Sequence, residues 1–233
     1  MKLERAEGVV LRHHPLTESS LIVHWLTREH GRLRTVARGA LRPKSAFRGK
    51  LDVFFRAEFT FARSARSELH TLRELALHET HPVLRRDFDR LRLAAYAARL
   101  IEQNTEGDTP VPDIYGLFGE LLGELAVGDP PPALVAAFEL CLLTELGLGP
   151  GPRSHRLRPE SQAWMGRLGR RPLDARTART CPRAALSELN HFLHGFLIHH
   201  LGRVPKGRPA FGTAAAPAGD EKNIEGTPGM TAE

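Results

Sequence analysis

Cysteine is nearly absent from this chain. Cys141 and Cys181 are the only two among 233 residues, and they lie far apart in sequence. That excludes a disulfide framework and leaves room for one bridge at most. Long apolar runs are missing as well. No stretch approaches the roughly 20 apolar residues that a bilayer span requires, and the opening MKLERAEGVV holds no apolar core of a secretory signal. Together these absences make the cytoplasm the simplest expectation and a membrane the weakest candidate partner. The parts of an enzyme are lacking too. There is neither a Walker pattern nor a GxGxxG turn after a strand. Ser19 and Ser20 have no paired base at a known spacing. His78, Glu79 and His81 resemble a truncated zinc-protease motif without the HExxH spacing that puts two ligands on one helix face. Asp87 and Asp89 sit two apart on an expected helix, point different ways and read as part of a solvated face. The sequence therefore predicts a non-catalytic protein with no cofactor.

What is present is apolar bulk and positive charge. With 41% hydrophobic residues the chain can bury a core, and its net charge of +6 favours an anionic partner. The charge is concentrated in GRLRTVARGALRPKSAFRGK, residues 31–50, which contains Arg32, Arg34, Arg38, Arg42, Lys44, Arg48 and Lys50 and no acid. Its first half alternates. Leu33, Thr35 and Ala37 point to one side of a strand, and Arg32, Arg34, Val36 and Arg38 to the other. Gly39 ends the strand, and a basic loop with one aromatic, Phe47, follows. Cations on a β-surface and its loop, with an aromatic beside them, suit a phosphate backbone and its bases. Trp25, Phe54 and Phe55 could join that surface or belong to a core.

Around this stretch, residues 1–80 read as five short strands, at 7–13, 20–27, 31–38, 51–63 and 68–78. No helix intervenes, which predicts a small antiparallel barrel. An OB-fold and an SH3-like barrel both fit the pattern. From Pro82 the period becomes helical. Stripes through Leu84–Ile101 and Ile114–Leu125, an all-round apolar helix near 133–146 with Asp129 as its cap, and a last helix after Pro182 make a helical domain over 81–204. His191, His194 and His199 on that last helix read as polar positions beside a Leu stripe. Residues 147–181 form a Pro-, Gly- and Arg-rich insertion with Trp164, Met165 and Leu168 as a small apolar cluster. Residues 205–233 have almost no large apolar groups and read as a mostly disordered tail.

Several motifs resemble the RecO family of bacterial recombination mediators. They are Gly8-Val9-Val10-Leu11, the Glu18-Ser19 turn, Leu26-Thr27 followed by Gly31, and Val36-Ala37-Arg38-Gly39-Ala40 with its basic continuation. The run HHLGRVPKGRPAF near the C-terminus is similar to the family's closing segment. The resemblance implies a five-stranded OB-fold barrel followed by a helical bundle. It implies binding of single- and double-stranded DNA, annealing of complementary strands, and contacts with RecR and the single-strand-binding protein that help RecA load. The family's basic barrel face carries over onto Arg32, Arg34, Arg38, Arg42 and Lys44. Phe47, Arg48 and Lys50 complete the candidate DNA-binding set from the residues themselves. One departure stands out. Many members carry two CxxC pairs in the insertion, whereas here the soft ligands in it are His155 and Cys181, so no structural zinc is expected. An OB-fold RNA-binding module and a non-catalytic helical adaptor are the alternatives. Affinity for matched DNA and RNA strands separates the first, and an adaptor has no need of the basic loop.

Overall fold

Alternation over the first eighty residues becomes five strands in the computed structural model, which describes residues 2–151 and 157–209. They are β1 (Leu3–Pro15), β2 (Leu21–Thr27), β3 (Gly31–Ala37), β4 (Arg56–Ala62) and β5 (Leu69–Glu79). They close into a barrel in the order β1-β2-β3-β5-β4, with β4 pairing back onto β1. Four seams are antiparallel, while β3 and β5 pair in parallel. This corrects the all-antiparallel expectation: directions cannot alternate all the way round a ring of five, so one parallel seam is unavoidable. The ring is an OB-fold barrel. β1 can serve two neighbours because its register against β2 shifts between Val10 and Arg12, where a bulge bends the strand.

Trp25 lies wholly inside the barrel. It stacks on Phe59 at 4.3 Å between centroids, and its indole N–H donates to the Thr35 hydroxyl at 2.9 Å. The fourth strand is shorter than its alternation suggests. Residues 51–55 form a turn, in which the Asp52 carboxylate accepts from the Val53 N–H and Phe54 adopts a left-handed φ of 63°. That turn sends two adjacent phenylalanines to different cores. Phe55 packs inside the barrel, and Phe54 packs edge-on against Phe118 of the helical half.

A 3-10 turn (Pro82–Arg85) leads into α1 (Phe88–Asn104), α2 (Pro112–Ala126), α3 (Leu134–Glu145), α4 (Pro159–Leu168), α5 (Ala175–Arg179) and α6 (Arg183–Leu201). Asp89 is exposed on α1, whereas Asp87, still partly solvated, stands just before the helix and caps it by accepting the backbone N–H groups of Asp89 and Arg90. Asp129 is not the cap of α3. It pairs with Arg90, and Ala133 occupies the cap position. α3 is buried on almost every side and forms the bundle centre. In the insertion, Trp164, Met165 and Leu168 of α4 are buried in the bundle core. Arg171 ties the turn after α4 to α2 and α3 by donating to Glu120, to Glu145 and to the Asp113 carbonyl. The chain does not leave the body at Pro205. Gly202 ends α6 with φ 73°, and Pro205–Pro209 return to the bundle, where Arg208 reaches the buried Glu139. The tail expected beyond this point, residues 210–233, and the 152–156 segment with His155 lie outside the described residues. No helix among the described residues is long and apolar enough to cross a membrane.

Candidate nucleic-acid interface

The outward row of β3 is Arg32, Arg34 and Val36, with Arg38 just past its end, while Leu33, Thr35 and Ala37 are buried. The structure divides the cations of this row. Arg32 is tucked beneath the end of α1 and donates to the Thr105 carbonyl; burial holds its pKa below the ordinary arginine value. Arg34 pairs with Glu68. Arg38 stands exposed at the strand's end. Gly39 then takes a φ of 65°, a conformation glycine adopts without a Cβ penalty, and turns the chain out of the sheet. The basic loop that follows is a run of tight turns, with Arg42 N–H donating to Gly39, Ser45 to Arg42, Arg48 to Ser45 and Lys50 to Phe47. It is pinned to the loop between β1 and β2 by Leu41 N–H on the Ser19 carbonyl and by Gly39 N–H on the Ser20 hydroxyl.

Along this loop Arg38, Arg42, Lys44, Arg48 and Lys50 have no carboxylate partner among the described residues; the Arg48 guanidinium donates to the Pro43 carbonyl. Phe47 is half-buried against the barrel core, so it anchors the loop more than it offers a stacking face. Two grooves meet at Arg38. One, of about 430 Å³, runs between the β1–β2 loop and the basic loop and is lined by Leu16, Ser19, Ser20, Val36, Arg38 and Arg42. The other, of about 750 Å³, is lined by Lys2, Arg38, Arg63, Ser64, Arg66 and Leu69. The second groove brings in Lys2 and Arg66, which the sequence pattern does not single out. The ARSARS turn between β4 and β5 is the available signal for Arg66. Arg63 in the same turn is engaged, donating to Glu4 at 3.0 Å and to Asp108 at 2.6 Å.

The other candidate chemistry does not assemble. No group of three or more His, Cys, Asp or Glu among the described residues could hold a metal. Both thiols are free. Cys141 sits in the core with its Sγ against the carbonyls of Leu168 and Arg170, and burial pushes its pKa up to about 12. Cys181 is half-buried, and burial raises its pKa as well. His81 contacts the Phe54 carbonyl at 2.9 Å through Nδ1 and serves the turn there.

A closed OB barrel with a cationic loop, joined to a helical bundle, defines a two-part protein whose barrel offers a basic surface. Residues 1–81 match the family described as Recombination protein O N terminal, and residues 85–151 match Recombination protein O C terminal. The chain belongs to the RecO family. It is 36% identical over 148 residues to the DNA repair protein RecO of Azoarcus sp. (strain BH72), covering 64% of this chain and 59% of that one. It is 36% identical over 150 residues to the DNA repair protein RecO of Pelotomaculum thermopropionicum, covering 64% of this chain and 57% of that one. With the protein of the same name from Listeria monocytogenes serotype 4b (strain CLIP80459) it shares 34% over 148 residues, 64% of this chain and 57% of that one. The match thus spans less than two thirds of these relatives' length, and residues beyond 151 lie outside both family segments.

Proposed function

We propose that this chain is a non-catalytic mediator of DNA repair and recombination. In this reading residues 1–80 hold single- and double-stranded DNA and promote annealing of complementary strands. The chain also contacts RecR and the single-strand-binding protein in the cytoplasm, so that RecA can load. The carrying observation is the clustering of five cations in one loop, Arg38, Arg42, Lys44, Arg48 and Lys50, without a carboxylate partner among the described residues, whereas Arg5, Arg34 and Arg56 elsewhere on the barrel are ion-paired. Such cations replace condensed counterions along a phosphate backbone, and the released ions drive binding. Annealing needs no catalytic residue. Two strands repel through their phosphates, and a basic surface lowers that repulsion. The barrel aromatics support the same reading: Trp25 and Phe55 are buried and Phe47 is half-buried, so bases on this face stay free to pair. The partners RecR and single-strand-binding protein rest on family membership.

The test is a strand-annealing assay without nucleotide, alongside salt-dependent binding. Changing Arg38, Arg42, Lys44 and Arg48 to Ala should weaken single-strand binding and slow annealing. It should also flatten the dependence of log affinity on log salt by roughly 0.7 for each phosphate no longer neutralised. Wild-type affinity and slope in the variant place the interface elsewhere.

A further inference from the structure

Between the outer face of β2–β3 and the C-terminal end of α1 lies a pocket of about 450 Å³, a volume typical of small-molecule sites. Its walls include Arg12, His24, Arg32, Arg34, Glu102 and Thr105. His24 lies opposite Arg34 in the β2–β3 register and Leu26 opposite Arg32. His24 and Arg32 are therefore diagonal neighbours on one face, within reach of a common ligand. His24 is only 7% exposed, yet its Nε2 has no hydrogen-bond partner. The Nε–H of Arg32 is also buried and unpartnered, although the far end of the same guanidinium donates to Thr105. Buried polar groups are almost always satisfied, so two unmet ones lining a single pocket point to something that enters it.

The charges around the pocket narrow what that is. Arg12 donates to Glu102 at 2.9 Å and Arg34 pairs with Glu68, while Glu106 and Asp108 stand at the rim. Burial, and then the charge of Arg12, hold the His24 pKa down to about 4, so the imidazole is neutral near pH 7. Carboxylates therefore balance the guanidiniums, which disfavours a phosphate, and no metal-ligand cluster is present among the described residues. A neutral ligand with hydrogen-bond donors and acceptors side by side fits. Arg34 lines the pocket, and Arg38, exposed just past the end of β3, begins the cationic loop, so the pocket lies close to that loop along the chain.

We propose that this pocket receives one unstacked nucleobase of the bound single strand and reads its hydrogen-bonding edge through His24 and Arg32. The proposal rests on the single-strand binding argued above. Its test compares an oligonucleotide with an abasic strand of equal length and equal charge. The wild-type chain should bind the base-bearing strand about tenfold tighter, the factor that 1.4 kcal/mol supplies. His24→Phe should bring that ratio close to one by weakening the base-bearing strand. His24→Asn is the second variant, should the first unfold. Equal binding of the two strands by the wild-type chain, or an unchanged ratio in a folded His24 variant, overturns the proposal and leaves the pocket to water. Failure of both strands to bind overturns the strand-binding reading itself.

Discussion

Arg208→Ala should be among the most damaging substitutions of a partly exposed residue in this protein. Its partner, Glu139, sits in the centre of α3 with 0% side-chain exposure. Three donors converge on that carboxylate: the Tyr96 hydroxyl at 2.5 Å, and the Arg208 Nε and Nη2 at 2.7 and 2.6 Å. Burial, then the charge of Glu139, push the Tyr96 pKa far above the ordinary phenol value, so the hydroxyl remains a donor. Burial works against the charge of Arg208, but the hydrogen bonds and charge of Glu139 outweigh it and its pKa is raised. Removing one partner of a buried pair leaves an uncompensated charge, at about 3 to 5 kcal/mol. Arg208 is 15% exposed, so water can enter where its side chain was, and the lower end, about 3 kcal/mol, is expected. Against a total stability of roughly 5 to 15 kcal/mol this is a large fraction. The assay is urea unfolding of the single and double variants. Glu139→Gln introduced into Arg208→Ala should recover most of the loss, because no buried charge is then left unpaired. A cost below about 1 kcal/mol for Arg208→Ala, or simple additivity of the two substitutions, refutes the reasoning.

Trp164→Ala should cost about 3 kcal/mol in a denaturant melt, the lower end for a buried aromatic, because the ring edge is partly solvated beneath the Arg167 guanidinium at 4.9 Å. Acid should act through His24. Its folded pKa of about 4 lies below the unfolded value near 6.5, so the unfolded chain takes up the proton first. Stability is then lost as pH falls from about 6.5 to 4, by about 2 kcal/mol after allowance for solvent in the pocket. His24→Phe should flatten this window in melts at pH 7 and 4.5, and an unchanged pH profile assigns the loss to other groups. Metal analysis of untagged protein should show far less than one zinc per chain, and chelator should leave the melting temperature unchanged. One tightly held zinc would point to Cys181 and His155.

The alternation of β3 is legible in the sequence itself, because a half-buried strand imposes its period of two on the residues. Leu33, Thr35 and Ala37 go inward, and Arg32, Arg34 and Arg38 outward, for that reason. Nothing in the sequence signals that these three arginines differ. Arg32 and Arg38 look alike in pattern, but the acceptor that engages Arg32 comes from Thr105, 73 positions away, and Glu68, which pairs with Arg34, is 34 positions away. Such partners are fixed by chain folding and leave no local trace. Phe54 shows the same limit. It continues a strand pattern, yet the turn at residues 51–55 rotates it into the other core. Arg208 is hidden by composition: a segment without large apolar groups reads as having nothing to bury, whereas what it buries is a guanidinium against a carboxylate. Asp87 is a matter of boundary, since two acids near a helix start are a cap or a surface pair depending on one residue of offset.

Set beside one another, the barrel's arginines differ in what they meet: Arg5, Arg34 and Arg56 pair with carboxylates of the barrel itself. Arg12, Arg32 and Arg63 face the bundle and meet acceptors from α1 and its following loop: Glu102, the Thr105 carbonyl and Asp108. Arg38, Arg42, Lys44 and Arg48 face away from it and meet no carboxylate among the described residues. The bundle thus engages cations on one side of the barrel, while the cationic loop, together with Arg28, Arg66 and Arg73, meets no carboxylate among the described residues. An OB barrel with cations all round offers a strand many equivalent paths. With junction-side cations engaged, a strand drawn by charge is held most strongly along the loop and past Arg38. In the proposed reading the helical domain therefore helps to direct the DNA towards the loop side, through the same contacts that hold the two halves together.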